Sequence, residues 1–309
     1  MGNNGFKTKK SLGQNFLQDA GVLEVIAAAS GAGPADTVVE IGPGLGALTD
    51  YLAERAGKVI AVELDDRLIP ILRTKFALHP NVEIVHQDIL QFDWSRAAVP
   101  PAADYAETLR GGGKEGTRPS SLSCDGKGGC LADRTPDTSG VLRIVGNLPY
   151  YITTPILLGI LEQNVPAENL TVMVQKEVAD RIVSPPGCKD YGVLSISLQY
   201  YCNCSKVLDV PAECFDPVPK VDSAVVVLER KKERPLDPGG EEKFFALVKT
   251  AFVQRRKTLS NTLTGFRGLD KGKIEDILKK AGIDPRLRPE NLSVEDYIRL
   301  SKEIGNAGH

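Results

Sequence analysis

The sequence contains few of the residues that build metal and redox sites. It has 3 His, 1 Trp and 2 Met among its 309 residues. His79, His86 and His309 do not have the spacing of a ligand set, and none of the 6 Cys belongs to a C-x-x-C motif. These gaps exclude the common zinc and dithiol motifs, so we predict no metal site. We expect the cysteines to be unpaired thiols in a reducing, cytoplasmic environment.

The sequence also lacks a long hydrophobic run and a strong net charge. No run reaches the roughly 18 apolar residues of a membrane span. The net charge of −2 argues, taken alone, against a nucleic-acid partner. Its distribution argues otherwise, because residues 1–229 carry 20 Lys+Arg and 28 Asp+Glu whereas residues 230–309 carry 18 and 12. A basic tail on an acidic body indicates either a polyanionic partner or merely solvated helix faces.

Short apolar runs alternate with amphipathic segments from Thr37 onward. The runs that predict buried strands are Thr37–Ile41, Val59–Glu63, Val82–Val85, Val141–Val145 and Thr171–Val174. Helical segments between them, such as Leu48–Ala56 and Arg67–Leu78, indicate a parallel sheet covered on both faces. Two later runs, Lys206–Val210 and Ala224–Leu228, are joined by a loop too short for a crossover helix, so we expect an antiparallel pair. This α/β pattern fits a Rossmann-like, class I methyltransferase sheet better than a dehydrogenase.

Two segments interrupt the pattern and suggest the domain organisation. Residues 100–140 hold 8 Gly and 4 Pro, too little apolar surface to offset the entropy of ordering, so we predict a disordered insertion between two strands. Its isolated Cys124 and Cys130 are a weak signal for a metal or redox site. A charged Pro/Gly linker at Arg230–Gly240 precedes helical periodicity, and Ser293–Asp296 resembles a capping box. We therefore predict one domain over residues 1–229 and a small C-terminal helical domain over residues 230–309.

A glycine-rich turn follows the first predicted strand. Glu40–Gly46 reads Glu-Ile-Gly-Pro-Gly-Leu-Gly, and its glycines let the backbone approach a ligand at the carboxyl end of a strand. Glu63 ends the next strand, where a carboxylate can accept hydrogen bonds from two ribose hydroxyls. A methyl-donor site, a dinucleotide fingerprint and a structural turn all fit this turn. Asp88 either accepts from the amine of an adenine, with Ile89 along the ring, or caps a helix.

The fourth predicted strand leads into Asn147-Leu148-Pro149-Tyr150. The exocyclic amine of a nucleobase is a poor nucleophile because its lone pair is delocalised into the ring. The Asn147 oxygen and a backbone carbonyl can accept both N–H groups and localise that lone pair toward a methyl donor. Pro149 stiffens the turn, and Tyr150 offers a face on which a flipped base can stack. The structural alternative is an ordinary turn at the end of a strand.

Blocks along nearly the whole chain resemble one enzyme family. In order, they are Lys10–Leu17, Glu40–Gly46, Asn147–Tyr150, Gln175–Glu177, Tyr191–Ser195, Phe215–Ser223 and Gln254–Thr258. Together they resemble the small-subunit ribosomal RNA adenine N6,N6-dimethyltransferases of the KsgA type. The insertion at residues 100–140 departs from the compact bacterial pattern, and Tyr151 stands where many relatives carry Asn.

The resemblance implies S-adenosylmethionine as the methyl donor, no metal, and a role for each matching residue. Those implied to hold the donor are Gln14, Asn15, Leu17, Gly42, Gly44, Glu63, Leu64, Asp88, Ile89 and Asn147. Those implied to act at the target base are Asn147, Leu148, Pro149, Tyr150 and Phe215. By itself, Phe215 would be interpreted as a core residue. Those implied to contact RNA are Lys220, Arg255, Arg256 and Lys257, although a positive triplet on a helix is often only a solvated face.

The resemblance implies transfer of methyl groups to N6 of two adjacent adenosines in the 3′-terminal hairpin of small-subunit rRNA. The partner would be a late pre-small-subunit particle, recognised by its shape and by an unpaired base. We expect a monomer without membrane contact. One rival is the related group of large-subunit rRNA methylases, although Lys220–Ser223 and Gln254–Thr258 favour the small-subunit group. Other rivals are a binding protein, either an assembly checkpoint or a mitochondrial transcription-factor relative, and a dehydrogenase, for which we find no acid/base constellation.

Overall fold

The structure is a computed structural model that describes residues 14–97 and 140–307. Its strands are, in chain order, β1 (Phe16–Leu17), β2 (Thr37–Ile41), β3 (Lys58–Glu63), β4 (Val82–His86), β5 (Leu142–Asn147), β6 (Ala167–Gln175), β7 (Cys202–Val210), β8 (Phe215–Asp216) and β9 (Ser223–Arg230). A seven-stranded sheet has the order β4–β3–β2–β5–β6–β9–β7, and β1 and β8 form a separate two-stranded pair. β9 runs antiparallel to both β6 and β7, whereas the other neighbours in the seven-stranded sheet are parallel. The predicted parallel sheet with a terminal antiparallel pair is therefore confirmed.

The apolar runs form the centre of the sheet because both of its faces are covered. All five residues of β2 are buried. Val39 faces one hydrophobic cluster, whereas its neighbour Val38 faces another on the opposite side, as the two-residue repeat of a strand requires. Parallel strands also end together: Ile41 pairs with Val62 and with Gly146. We call the edge where β2 to β6 end the carboxyl edge of the sheet.

Helices cover both faces of the sheet. In chain order they are α1 (Ala20–Ala29), α2 (Ala47–Ala53), α3 (Ile69–Lys75), α4 (Thr153–Glu162), α5 (Lys176–Val183), α6 (Val193–Tyr201), α7 (Pro238–Phe252), α8 (Leu259–Leu263), α9 (Lys271–Lys280) and α10 (Val294–Ala307). The segments predicted as helices at Leu48–Ala56 and Arg67–Leu78 correspond to α2 and α3 with shorter bounds. One cluster joins α1 and α2 to the sheet, and a larger one joins α4, α5 and α6 to the opposite face.

The helical tail packs onto this larger cluster. α7 has the predicted helical periodicity: Phe244, Leu247, Val248 and Ala251 are buried, and Phe252 is partly buried. The Phe244 ring lies 4.7 Å from that of Tyr200 on α6. β9 continues to Arg230 and α7 begins at Pro238, so the connection is shorter than the predicted linker at Arg230–Gly240. Because one hydrophobic cluster holds both sheet and tail residues, the division into two domains at residue 229 stays a prediction.

The capping box predicted at the last helix is confirmed. Ser293 N donates to Asp296 Oδ2 at 2.9 Å, and Asp296 N donates to Ser293 Oγ at 3.1 Å. The helix that it starts runs from Val294 to Ala307.

Some predicted features lie outside the described residues. They are Lys10–Gly13 of the first block and the insertion at residues 100–140 with its two cysteines, apart from Gly140. The four described cysteines, Cys188, Cys202, Cys204 and Cys214, are free thiols. Within the described part of the chain, no helix is both long and apolar enough to cross a bilayer.

Candidate active site

A cavity of about 650 Å³ opens at the carboxyl edge of the sheet. Its volume lies within the range of small-molecule sites in proteins. With the exception of Phe215, it is lined by every residue that the sequence assigned to the donor or the target base, namely Gln14, Asn15, Leu17, Gly42, Gly44, Glu63, Leu64, Asp88, Ile89, Asn147, Leu148, Pro149 and Tyr150. The fold thus brings five separate stretches of the sequence into one wall.

The glycine turn between β2 and α2 forms one side of the cavity. Gly42 and Gly44 have positive φ angles of 66° and 61°, in the left-handed region that side chains disfavour. A Cβ at Gly44 would lie 2.9 Å from Phe16 Cδ1, so this position also needs glycine for space. The close approach is made by residues Gln14–Gln18, which we call the N-terminal strap.

The strap crosses the cavity and is held at several points. Gln14 Nε2 donates to Asp65 Oδ2 at 2.8 Å, and Asn147 Nδ2 donates to the carbonyl oxygen of Asn15 at 3.1 Å. Leu17 pairs with Phe215 in the antiparallel β1–β8 ladder. The strap therefore connects the loop after β3, the end of β5 and β8.

Asp65 anchors the strap as a buried carboxylate, a role that the sequence did not reveal. Its side chain is fully buried, and Arg67 Nε donates to Oδ1 at 2.9 Å. The Arg67 guanidinium holds the pKa of Asp65 well below its ordinary value, so Asp65 accepts from Gln14 as an anion. Asp65 lies two residues after Glu63, and nothing in the sequence around it indicates the contact with Gln14.

Glu63 is oriented by the backbone around it. Its Oε1 accepts from Leu64 N at 2.9 Å and Asp65 N at 2.8 Å, while Oε2 accepts from Gly44 N at 3.2 Å. Burial raises the pKa of Glu63, and the three N–H groups oppose that rise. Since a carboxylate oxygen has two lone pairs, Oε2 retains one for a ribose hydroxyl. Oε2 is therefore the oxygen available for the predicted ribose contact.

Asp88 caps a helix, which is one of the two alternatives that the sequence left open, and the adenine contact stays a prediction. Its Oδ1 accepts from Leu90 N at 3.0 Å and caps the short 3-10 helix Ile89–Gln91. The residue also lines the cavity, with the buried Ile89 beside it. A cap that uses one oxygen leaves the carboxylate able to accept from an adenine amine as well.

Glu40 is a buried acid whose state the sequence did not predict. Only 1% of its surface is exposed, and its Oε2 accepts from Thr49 Oγ1 at 2.6 Å. Burial raises the pKa of Glu40 to about 8, and the nearby charge of Glu63 raises it further, against the effect of Thr49. The Glu40 carboxyl is therefore mainly protonated at neutral pH.

Replacing Glu40 with Gln should remove a pH-dependent loss of stability. The native carboxyl keeps its proton up to about pH 8, whereas the unfolded chain loses it near the ordinary pKa of 4.5. Between these values the native state binds one more proton, so the free energy of unfolding falls by about 1.4 kcal/mol per pH unit. From pH 6 to pH 8, chemical denaturation should show the wild type losing about 2 kcal/mol more than Glu40→Gln. If the free energies of unfolding of the wild type and Glu40→Gln change equally with pH, Glu40 is ionised in the native state throughout this range and the prediction is wrong.

Tyr150 is positioned by a residue of β9. Its hydroxyl lies 2.7 Å from Ser223 Oγ, and Ser223 is fully buried. Burial raises the pKa of Tyr150, so the phenol stays protonated. The half-buried Tyr150 ring lines the cavity, as stacking on a base requires. Ser223 belongs to the block Phe215–Ser223, but its hydrogen bond to Tyr150 was not predicted.

Phe215 is placed differently from its implied role. Only 3% of its surface is exposed, and it packs with Leu17, Val210 and Met173 in a hydrophobic cluster. It does not belong to the cavity wall, so in this structure it has the place of a core residue. A second aromatic face at Phe215 stays a prediction, and it would require β1 to separate from β8.

The basic residues lie away from the cavity wall. Arg255, Arg256 and Lys257 form a turn between α7 and α8, so the expectation that they lie on a helix was wrong; Thr258 is the N-cap that starts the next helix. Arg255 donates to the Cys188 carbonyl at 3.3 Å, whereas Arg256 and Lys257 are exposed. Arg256 and Lys257 are therefore better placed than Arg255 to contact phosphate groups.

Contacts at both ends of α7 fix its direction relative to α6. The end of α6 packs on the start of α7 through Tyr200, and the loop before α6 contacts Arg255 after the end of α7. The two helices are therefore antiparallel. Lys220 is exposed on the loop between β8 and β9, which reaches the carboxyl edge where Ser223 pairs with Gln175.

Comparison with known proteins decides between the interpretations of the cavity. Residues 5–306 match the family model described as Ribosomal RNA adenine dimethylase. The chain belongs to this family. The Ribosomal RNA small subunit methyltransferase A of Ligilactobacillus salivarius (strain UCC118) is 42% identical over 307 residues, 98% of this chain and 92% of the relative. The protein of the same name from Geobacillus thermodenitrificans (strain NG80-2) is 42% identical over 305 residues, 97% and 92% of the two chains.

Two solved structures share the fold. A dimethyladenosine transferase from Plasmodium falciparum aligns with a TM-score of 0.72 at 23% identity, covering 95% of this chain and 98% of that one. The 23S rRNA methyltransferase ErmE aligns with a TM-score of 0.64 at 28% identity, covering 94% and 100%. The predicted class I methyltransferase fold is confirmed, as is the predicted family of S-adenosylmethionine-dependent rRNA adenine dimethyltransferases. Across residues 14–97 and 140–307, no group of three His, Cys, Asp or Glu side chains is placed to hold a metal ion.

Proposed function

We propose that this dimethyltransferase modifies N6 of two adjacent adenosines in the 3′-terminal hairpin of small-subunit rRNA. The observation that carries the proposal is the placement of Asn147 at the end of β5, in the wall of the cavity, with its Nδ2 bonded to Asn15. This bond fixes the amide orientation and leaves Oδ1 to accept from a substrate amine. The small-subunit target is supported by the names of the relatives with 42% identity.

The donor fits the inner part of the cavity. When bound, S-adenosylmethionine supplies an electrophilic methyl group on a sulfonium. We infer that Gly42 and Gly44 lie against its methionine part, that Glu63 Oε2 accepts from its ribose, and that Asp88 accepts from its adenine amine. The strap, with Gln14 and the half-buried Asn15, would exclude water from one side.

The target amine is activated by two oxygen acceptors. We assign one to Asn147 Oδ1 and the other to the Leu148 carbonyl, because the Pro149 carbonyl already accepts from Ile152 N and Thr153 Oγ1, each at 3.1 Å. With both N–H groups bonded, the amine is drawn out of conjugation with the ring, and the nitrogen lone pair is directed toward the methyl carbon. The S–CH₃ bond breaks as the N6–CH₃ bond forms, and the proton of the methylated amine passes to water. No strong base is needed.

The basic residues supply contacts to the RNA backbone. We infer that Arg256 and Lys257 bind phosphates, with Arg255 bracing their turn, and that Lys220 contacts the strand near the cavity. We propose a monomer that acts on a pre-small-subunit particle. A cytoplasmic setting is compatible with the free thiols of the described cysteines.

The substrate is tested by offering both ribosomal subunits. The protein is incubated with labelled S-adenosylmethionine and undermethylated small or large subunits, and the RNA is digested to nucleosides. We expect label in N6,N6-dimethyladenosine from the small subunit only. Label that enters only large-subunit RNA would overturn the proposal in favour of the activity named for ErmE, the 28% identical structure.

A further inference from the structure

Tyr151 is an exposed aromatic side chain at the mouth of the cavity. It is 56% exposed, whereas every other aromatic side chain in the described part of the chain is buried or half-buried. It also lines the cavity. An exposed tyrosine next to a nucleobase site is a feature that folding does not require, because its ring gains little from burial in this structure.

The turn after β5 directs the two consecutive tyrosines to different surroundings. Ile152 N donates to the Pro149 carbonyl at 3.1 Å, which closes a turn around Tyr150 and Tyr151. Tyr150 is half-buried and fixed by its bond to Ser223. Tyr151 lies outside, where the cavity meets solvent. The protein therefore has one aromatic ring in the cavity wall and another at its entrance.

The substrate places a second purine at that entrance. In the proposed reaction, which this inference takes as its basis, the target adenosine is followed or preceded directly by another adenosine. When one base enters the cavity, its neighbour is one phosphate away and stays outside. Aromatic side chains stack single-stranded bases without sequence-specific hydrogen bonds. None of the other exposed side chains that line the cavity has an aromatic face; they are Gln18, Leu64, Ile71 and Lys75.

We propose that Tyr151 stacks on the nucleotide adjacent to the target adenosine and thereby strengthens substrate binding. The neighbour is then held while the target base is in the cavity. After one adenosine has been modified, the two bases exchange places, and the same ring supports the modified base. Tyr151 acts on substrate binding and leaves the methyl-donor site unchanged.

The test compares Tyr151→Ala with the wild type on two substrates. One is an undermethylated small subunit, and the other is the same particle with an abasic nucleotide beside the target. On the normal particle, Tyr151→Ala should raise KM by about tenfold with little change in kcat. On the abasic particle, the wild type should show the same high KM, and Tyr151→Ala should raise it no further. Tyr151→Phe, which keeps the ring, should match the wild type on both.

Three results would overturn the inference. They are an equal loss for Tyr151→Ala on both particles, a Tyr151→Phe variant as impaired as Tyr151→Ala, and a weaker Kd for S-adenosylmethionine in Tyr151→Ala. Leu78→Ala is the matched control, since Leu78 is 92% exposed and lies outside the cavity wall. Wild-type activity on the normal particle tests the proposed function separately. An inactive wild type would contradict that function, whereas an active wild type with Tyr151→Ala unchanged would contradict the stacking role alone.

Discussion

Replacing Asn147 with Ala should lower the rate of methyl transfer by about a hundred- to a thousandfold. The variant loses Oδ1, an acceptor for the target amine, so the lone pair on N6 stays delocalised in the ring. It also loses the bond from Nδ2 to the Asn15 carbonyl, which holds the strap. Single-turnover transfer to undermethylated small subunits, with the enzyme in excess, measures this effect without interference from product release.

The control separates chemistry from binding. Asn147→Asp keeps an acceptor oxygen but places a negative charge beside the Asn15 carbonyl, so it should recover only part of the rate. Binding to the particle should be nearly unchanged in both variants. A fast Asn147→Ala enzyme would show that the amine is activated elsewhere. If the inactive variant still supports particle maturation in cells, binding is the main biological role, as in the assembly-checkpoint alternative.

Replacing Gly44 with Ala should destabilise the protein and weaken donor binding together. The residue has a φ of 61°, which costs an L side chain about 1–2 kcal/mol. The new methyl group would also lie 2.9 Å from the Phe16 ring, and overpacking of this kind costs about 1–3 kcal/mol. We expect the free energy of unfolding to fall by about 2–5 kcal/mol. Displacement of the strap should weaken S-adenosylmethionine binding by about tenfold or more.

A second glycine separates backbone strain from the clash with the strap. Gly282 has a φ of 72°, and a Cβ there would meet no atom within 4 Å. Gly282→Ala should therefore cost only the strain, about 1–2 kcal/mol, and leave donor affinity unchanged. Urea denaturation and calorimetric titration with S-adenosylhomocysteine measure both quantities. If Gly44→Ala and Gly282→Ala lose the same stability and bind the donor equally well, a methyl group at position 44 does not displace the strap and the prediction is wrong.

Features that depend on local sequence were predictable. The apolar runs of β2, β3 and β5 are continuous because both faces of the sheet are covered, so they stand out from the helices between them. The glycine turn and Asn147–Tyr150 follow strands directly, and parallel strands end at one edge. The ends of the predicted strands were therefore sufficient to predict that these blocks lie close together.

Features that depend on long-range packing were not predictable. The pairing of Leu17 with Phe215 joins two-residue strands almost two hundred residues apart, and strands of this length have no periodicity to detect. The same pairing buries Phe215. The elevated pKa of Glu40 arises from burial by the surrounding tertiary structure. The hydrogen bond between Tyr150 and Ser223 connects the turn after β5 to β9, although β6 lies between these two strands. None of these contacts is indicated by the neighbouring sequence.

Mapping the methylated nucleotides in rRNA tests the proposed function most directly. Two methyl groups on N6 remove both N–H donors, so reverse transcriptase stops at N6,N6-dimethyladenosine. In cells with the gene, primer extension should show stops at two adjacent adenosines in the 3′-terminal hairpin of small-subunit rRNA. The stops should disappear when the gene is deleted and return with the wild-type gene but not with Asn147→Ala. Gene-dependent stops confined to large-subunit rRNA, or no gene-dependent stops at all, would contradict the proposed function.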